Sequence, residues 1–78
     1  MPRFFFHLQN ERRVVDEDGQ DYPDLDTARL YARETIRALA CFDVQQGYLR
    51  AGDRFDIADE NGRVVATVGF DDAITVLP

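Results

Sequence analysis

The chain contains no lysine, no serine and no tryptophan, and only one cysteine and one histidine among its 78 residues. Each absence removes a class of chemistry. Without serine there is no Ser-His-Asp nucleophile system. The single Cys41 excludes an internal disulfide and any cysteine-rich zinc site, and an unpaired thiol fits a reducing compartment. No segment approaches the roughly 18 consecutive apolar residues of a membrane span. The apolar run inside MPRFFFHLQN is too short for a signal peptide. These absences predict a soluble, cytoplasmic chain with no membrane segment. There is no internal repeat, linker or low-complexity stretch.

Charge is abundant. Fifteen carboxylates face nine basic residues, all of them arginine, for a net charge of −6. A field of that sign repels phosphate backbones, so nucleic acid is disfavoured as a partner, although a local arginine patch remains compatible with it. The length suits one small domain spanning residues 1–78. Such a domain buries about 60–65% of its unfolded surface and usually needs reinforcement. With disulfides and cysteine-rich metal sites excluded, self-association is the expected reinforcement, most simply as a homodimer.

Residues 3–9 are rich in β-formers and alternate, with Phe4, Phe6 and Leu8 on one side and Phe5, His7 and Gln9 on the other. A polar turn at Asn10-Glu11 leads to a weaker strand over 12–16, and the two make a hairpin. From Leu25 the period becomes helical: Leu25, Ala28, Ala32, Ile36, Leu39 and Phe42 form one face, with Tyr31 and Thr35 at its border. Cys41 falls on the opposite side as a small packing residue. Gly47 is a stop signal. Residues 54–59 then alternate as a strand, and Asn61-Gly62 predicts a type I′ hairpin that pairs Ile57 with Ala66 and Phe55 with Val68. The tail 71–78 reads equally as a helical turn or an extended edge. The expected fold is therefore α+β: ββαββ, one four-stranded, mainly antiparallel sheet with one helix on one face. Placing the apolar strands centrally and the charged ones at the edges gives a β-grasp-like order 2-1-4-3.

The segments MPRFFFHLQN, DEDG, PDLDTARLYA and FDIADENGRVVATVGF together resemble a family of short bacterial proteins classed as a domain of unknown function. Its members open M-P-R-aromatic-F-F-H and continue with a D-E-x-G turn, a D-L-x-x-A-R helix start and an I-x-D-E-x-G-R-V hairpin. The resemblance runs from Met1 to about Phe70. It implies a single domain and supplies neither an activity nor a catalytic residue; His7 belongs to its motif without an assigned role.

Four features invite chemistry. The first is the acidic stretch Asp16–Asp26, with six carboxylates in eleven residues. With Gly19 as the glycine of a calcium loop, the first and last ligand positions fall on Val14 and Leu25, which cannot ligate. Starting at Asp16 puts Asp21 where glycine belongs and Thr27 where the bidentate glutamate belongs. No metal site is predicted, and no cofactor. The stretch reads instead as a turn at Asp18-Gly19, an extended Tyr22 before Pro23, and an N-cap at Asp24. The second feature is His7, which needs an orienting partner such as Asp16 or Asp56 to act as a base. The third is Arg29-Arg33-Arg37, an i, i+4, i+8 stripe that is a candidate docking surface for an acidic partner or a phosphate. The fourth is the sheet face away from the helix, where Phe5, His7, Val14, Val65 and Thr67 are expected to project together with Ala58 as a candidate dimer interface. The leading reading is a non-enzymatic protein-interaction or regulatory module that self-associates with its own copy or an unidentified protein. The alternatives are a nucleic-acid-associated regulator using the arginine stripe and a small enzyme using His7.

Overall fold

The alternation around Phe4, Phe6 and Leu8 builds the central strand. The computed structural model describes residues 1–78. It contains β1 (Arg3–Gln9), β2 (Arg13–Val14), β3 (Gln20–Asp21), α1 (Leu25–Gln45), β4 (Arg54–Ala58), β5 (Val64–Gly69) and the single turn α2 (Phe70–Ala73). The strands form one antiparallel sheet in the order β2-β1-β4-β5, with β3 also pairing β1. One side of this sheet is covered by α1, as the α+β reading expects. The order agrees with expectation in outline, with the first hairpin at one side, the second at the other and β1 internal.

The second hairpin is turned about relative to the expected order, which put residues 64–68 beside β1 and residues 54–59 at the edge. The strand beside β1 is instead β4 (Arg54–Ala58), antiparallel to it, and β5 (Val64–Gly69) is the edge. The rule that sends charged strands outward fails here because the charge on β4 is neutralised. Asp56 is buried, but it accepts hydrogen bonds from Arg13 and Arg54, and so β4 can lie inside the sheet with Phe55, Ile57 and Ala58 also buried.

The outer edge of β1 is covered by an interrupted strand. β2 pairs Leu8 and Gln9, and β3 pairs Phe4 and Arg3. In the gap between them, the Phe6 N–H donates to Asp16 Oδ2 at 3.1 Å, so a side-chain carboxylate replaces the missing backbone acceptor. Asp16 Oδ1 accepts from the N–H groups of Asp18 and Gly19, both at 3.1 Å, which folds the chain back toward β3. The expected turn at Asp18-Gly19 is present, and Gly19 has φ +70°.

Along α1 the buried stripe is Ala28, Ala32, Ile36 and Ala40, a strict every-fourth-residue row. Alanine lets the helix axis approach a sheet surface already filled by Phe4, Phe6 and Phe55, so small and large side chains complement one another. Phe42, expected on this face, is 58% exposed. Two successive three-residue steps from Ile36 turn the helix through about 120° away from the core direction, and Asp43 rather than Phe42 lies inward. Asp24 caps the helix as expected: its Oδ1 accepts from the Thr27 N–H at 2.8 Å.

The second hairpin keeps the expected pairs Ile57–Ala66 and Phe55–Val68, but its turn is not type I′. Asn61 has no positive φ; only Gly62 does, at +82°. The loop is a three-residue connection closed by the Gly62 N–H to the Asp59 carbonyl, with Asp59 Oδ1 accepting from the N–H groups of Asn61 and Arg63. A bulge follows, because Ala58 pairs with Val64 while Ile57 pairs with Ala66. Val65 is the extra residue. The tail begins with the helical turn α2 and then runs extended.

A Cβ at Gly19 would lie 2.9 Å from Arg3 Cγ, the Phe4 carbonyl oxygen and Phe5 Cε2, whereas at Gly62 nothing lies within 4 Å. Gly19→Ala is therefore expected to cost about 2–3 kcal/mol, against about 1 kcal/mol for Gly62→Ala, where only the left-handed backbone matters; urea denaturation of both variants measures the difference. Asp24→Ala is expected to lower the melting temperature by about 4 °C through loss of the cap, measured by thermal circular dichroism.

Candidate functional site

The sheet face away from α1 is built by the residues that alternate outward from β1, β4 and β5. Cross-strand registers place His7, Asp56 and Thr67 in one row and Phe5 beside Ala58 in the next. The centre of the face is polar. Asp56 accepts from Arg13 Nη1 at 2.9 Å, from Arg54 Nε at 3.3 Å and from the Thr67 hydroxyl at 3.3 Å. The Arg13 hydrogen bond, reinforced by Arg54, holds the Asp56 carboxyl below its ordinary pKa even though burial opposes this.

The expected interface set is divided by this geometry. Phe5, His7 and Thr67 share the far face. Val14 does not: it pairs with Leu8, which faces the helix side, and it borders a shallow depression with Leu8, Phe6 and Phe55. Val65 packs partly against the core, because the bulge reverses the alternation at that point and puts Val64 beside Ala58 instead. Both corrections have one physical origin, a side-chain period of two that a shift of one residue inverts.

His7 has a partner, but not a carboxylate. Its Nδ1 accepts from the backbone N–H of Asp16 at 3.1 Å. A neutral ring held this way carries its proton on Nε2, so the remaining nitrogen is a donor and is not available as a base. Neither Asp16 nor Asp56 hydrogen-bonds His7 through its carboxylate; Asp16 uses its oxygens on Phe6, Asp18 and Gly19. Burial raises the pKa of Asp16, and the three backbone donors more than offset that, leaving it lowered.

The arginine stripe lines one side of α1, and two of its three members have intramolecular partners. Arg37 Nε donates to the Ala73 carbonyl at 2.8 Å and ties α2 to α1, while Arg29 lies 3.7 Å from Asp26. Arg33 and Arg29 border a surface hollow together with Thr67, Val68 and Asp72.

The largest departure from expectation is the location of exposed apolar surface. A groove of about 390 Å³ runs along the C-terminal half of α1, lined by seven apolar residues from Ala40, Cys41 and Val44 to Leu49, Phe70, Ile74 and Val76, together with Arg37 and Gln45. Val44 is 61% and Val76 75% exposed, and Phe42 and Leu77 nearby in sequence are also exposed. Cys41 is exposed and lines this groove, so it does not pack as a buried small residue. A sequence signal existed in the apolar residues that the i+4 core stripe leaves over, but locating the groove required the return of α2 and the tail to the helix.

The lowered pKa of Asp56 and Asp16 means that their stabilisation is complete above the unfolded carboxylate value of about 3.9 and is lost as pH falls through their lower folded values. The contribution of these two groups to the urea midpoint is accordingly expected to be lost below about pH 4. Asp56→Ala is expected to cost about 2 kcal/mol at neutral pH, with a shallower acid decline than the parent chain, both read from urea curves.

No helix in the protein is long and apolar enough to cross a membrane. No curated protein and no solved structure matches the chain. The family comparison does return a match, covering residues 3–71, and it agrees with the resemblance drawn from the sequence at the level of a domain of unknown function. With that match extending over most of its length, the chain belongs to the DUF6894 family, a domain of unknown function.

Proposed function

We propose that this protein is a non-enzymatic interaction module that self-associates through the apolar groove on the C-terminal half of α1. The observation that carries this reading is the composition of the groove: on a chain with fifteen carboxylates, none lines it. Two copies of a molecule with net charge −6 repel one another over most of their surfaces. A carboxylate-free apolar surface is where that repulsion is weakest and where burial contributes most. A second copy is therefore the occupant that best suits the groove, in a two-fold arrangement presenting the same surface from both partners. The exposed apolar side chains of Val44, Leu49 and Val76 supply the burial that a 78-residue domain lacks by itself. An exposed free thiol at Cys41 is in keeping with a reducing compartment such as the cytoplasm.

The face containing Phe5, His7 and Thr67 suits this role less well, because Arg13, Arg54 and Asp56 already satisfy one another across its centre. Cys41 lines the groove, so an isologous contact over it places both thiols within the interface. Sedimentation equilibrium at micromolar concentration is expected to give a dimer, and a short bis-maleimide is expected to link the chains through Cys41. Val44→Asp places a charge on a side chain that is exposed in the single copy. It is expected to weaken association about 30-fold or more while leaving the melting curve of the dilute protein unchanged. A strictly monomeric parent chain, or undiminished association in Val44→Asp, would falsify the assignment of this surface.

A further inference from the structure

The turn after β1 and the loop before β4 enclose a recess of about 260 Å³, lined by Asn10, Glu11, Arg50, Gly52 and Asp53, with no apolar residue on its wall. Asp53 is only 8% exposed, and Asp43, at the end of α1, only 6%. Neither side chain accepts a hydrogen bond or enters an ion pair, in contrast to Asp16, Asp24 and Asp56. No buried side-chain oxygen without a partner is fully sealed from solvent, so the nearly buried Asp53 carboxylate opens onto the recess that it lines. Buried carboxylates in folded proteins are otherwise almost always paired or hydrogen-bonded.

The cation whose field reaches Asp53, Arg50, does not fill the role. Arg50 is held on Tyr48, with Nη2 donating to the Tyr48 hydroxyl at 3.3 Å and the guanidinium 5.1 Å from the ring centroid. The fields at Asp53 come from its own loop and from two other elements. Burial raises its pKa most; Arg50 in the loop lowers it; Asp43 of α1 and Glu11 of the turn raise it. No three His, Cys, Asp or Glu side chains converge closely enough to hold a metal ion. A cation with several N–H donors spans wider separations than a monatomic ion and satisfies a carboxylate directionally.

We propose that this recess binds a small organic cation, a primary ammonium or guanidinium group, with Asp53 as its principal acceptor and Glu11 supplying the outer negative charge. Arg50 acts as a resident competitor parked on Tyr48. This site is separate from the apolar groove and independent of self-association.

The test is titration of the full chain with n-butylammonium and with methylguanidinium, followed by amide and side-chain carboxyl NMR at constant ionic strength. Tetramethylammonium, which has no N–H donor, serves as the control cation. One of the two probes is expected to give saturable shifts at residues 10–12 and 50–54 and at the Asp53 carboxyl, with no such response to tetramethylammonium. Binding is expected to weaken about tenfold or more in Asp53→Asn, a variant that removes a desolvated charge and keeps the side-chain shape. It is expected to tighten in Arg50→Gln. In the unaltered chain, binding is expected to fall as pH drops through the titration of Asp53, read on the same carboxyl resonance. The absence of saturable shifts from both probes, an equal response to tetramethylammonium, undiminished affinity in Asp53→Asn, or binding that persists once Asp53 is protonated each overturns the proposal.

Discussion

Phe6 is where the parts of this protein meet. Its ring packs edge-on against Tyr22 at 5.9 Å, Tyr31 at 5.1 Å and Phe55 at 6.4 Å, side chains from the acidic stretch, the helix and β4. Its backbone N–H is received by Asp16. One residue thus joins the sheet interior, the helix and the connection between them, through an aromatic cluster on one side of the chain and a charge-assisted hydrogen bond along its edge. The alanines of α1 follow from this arrangement, since a helix laid over Phe4, Phe6 and Phe55 packs closely through Ala28, Ala32 and Ala40, with Ile36 the one large side chain of its buried stripe.

The acidic surplus divides by environment rather than by position in the chain. Asp16 receives backbone donors, Asp24 caps a helix and Asp56 is held by two arginines; the pKa of all three is lowered. Each is a structural member that happens to be charged. Asp53 is the opposite case, raised first by burial and left without a donor. Four carboxylates that look alike in the sequence therefore act as a strand substitute, a cap, a brace across the open sheet face and a bare acceptor, according to which N–H groups the fold brings to them.

Local signals were readable wherever the physics is local. The Asp24 cap needs only Thr27 three residues on, and the positive φ of Gly19 follows from the turn beside it. The pairs Ile57–Ala66 and Phe55–Val68 followed from alternation about a nearby turn. The change of turn type leaves those two pairs intact because the bulge at Val65 compensates for the longer loop, yet the same bulge turns Val65 toward the core, away from the face expected for it. Val14 was misplaced because short β2 takes its register from Leu8, a partner that the hairpin reading did not fix.

What the sequence determined alone was most of the elements, β3 and the form of the tail not among them: the long amphipathic helix, four of the five strands, a capped joint before the helix, and the impossibility of an internal disulfide. These depend on neighbours within a few residues, where propensity and periodicity act. Tertiary structure alone decided which strand lies beside β1, which carboxylates find donors and where apolar surface is left uncovered. Asp56 belongs in the interior only because Arg13, 43 residues away along the chain, reaches it. The groove exists only because Phe70, Ile74 and Val76 return to the flank of α1. Such outcomes rest on contacts between residues distant in sequence, and a periodicity that spans a few residues carries no information about them.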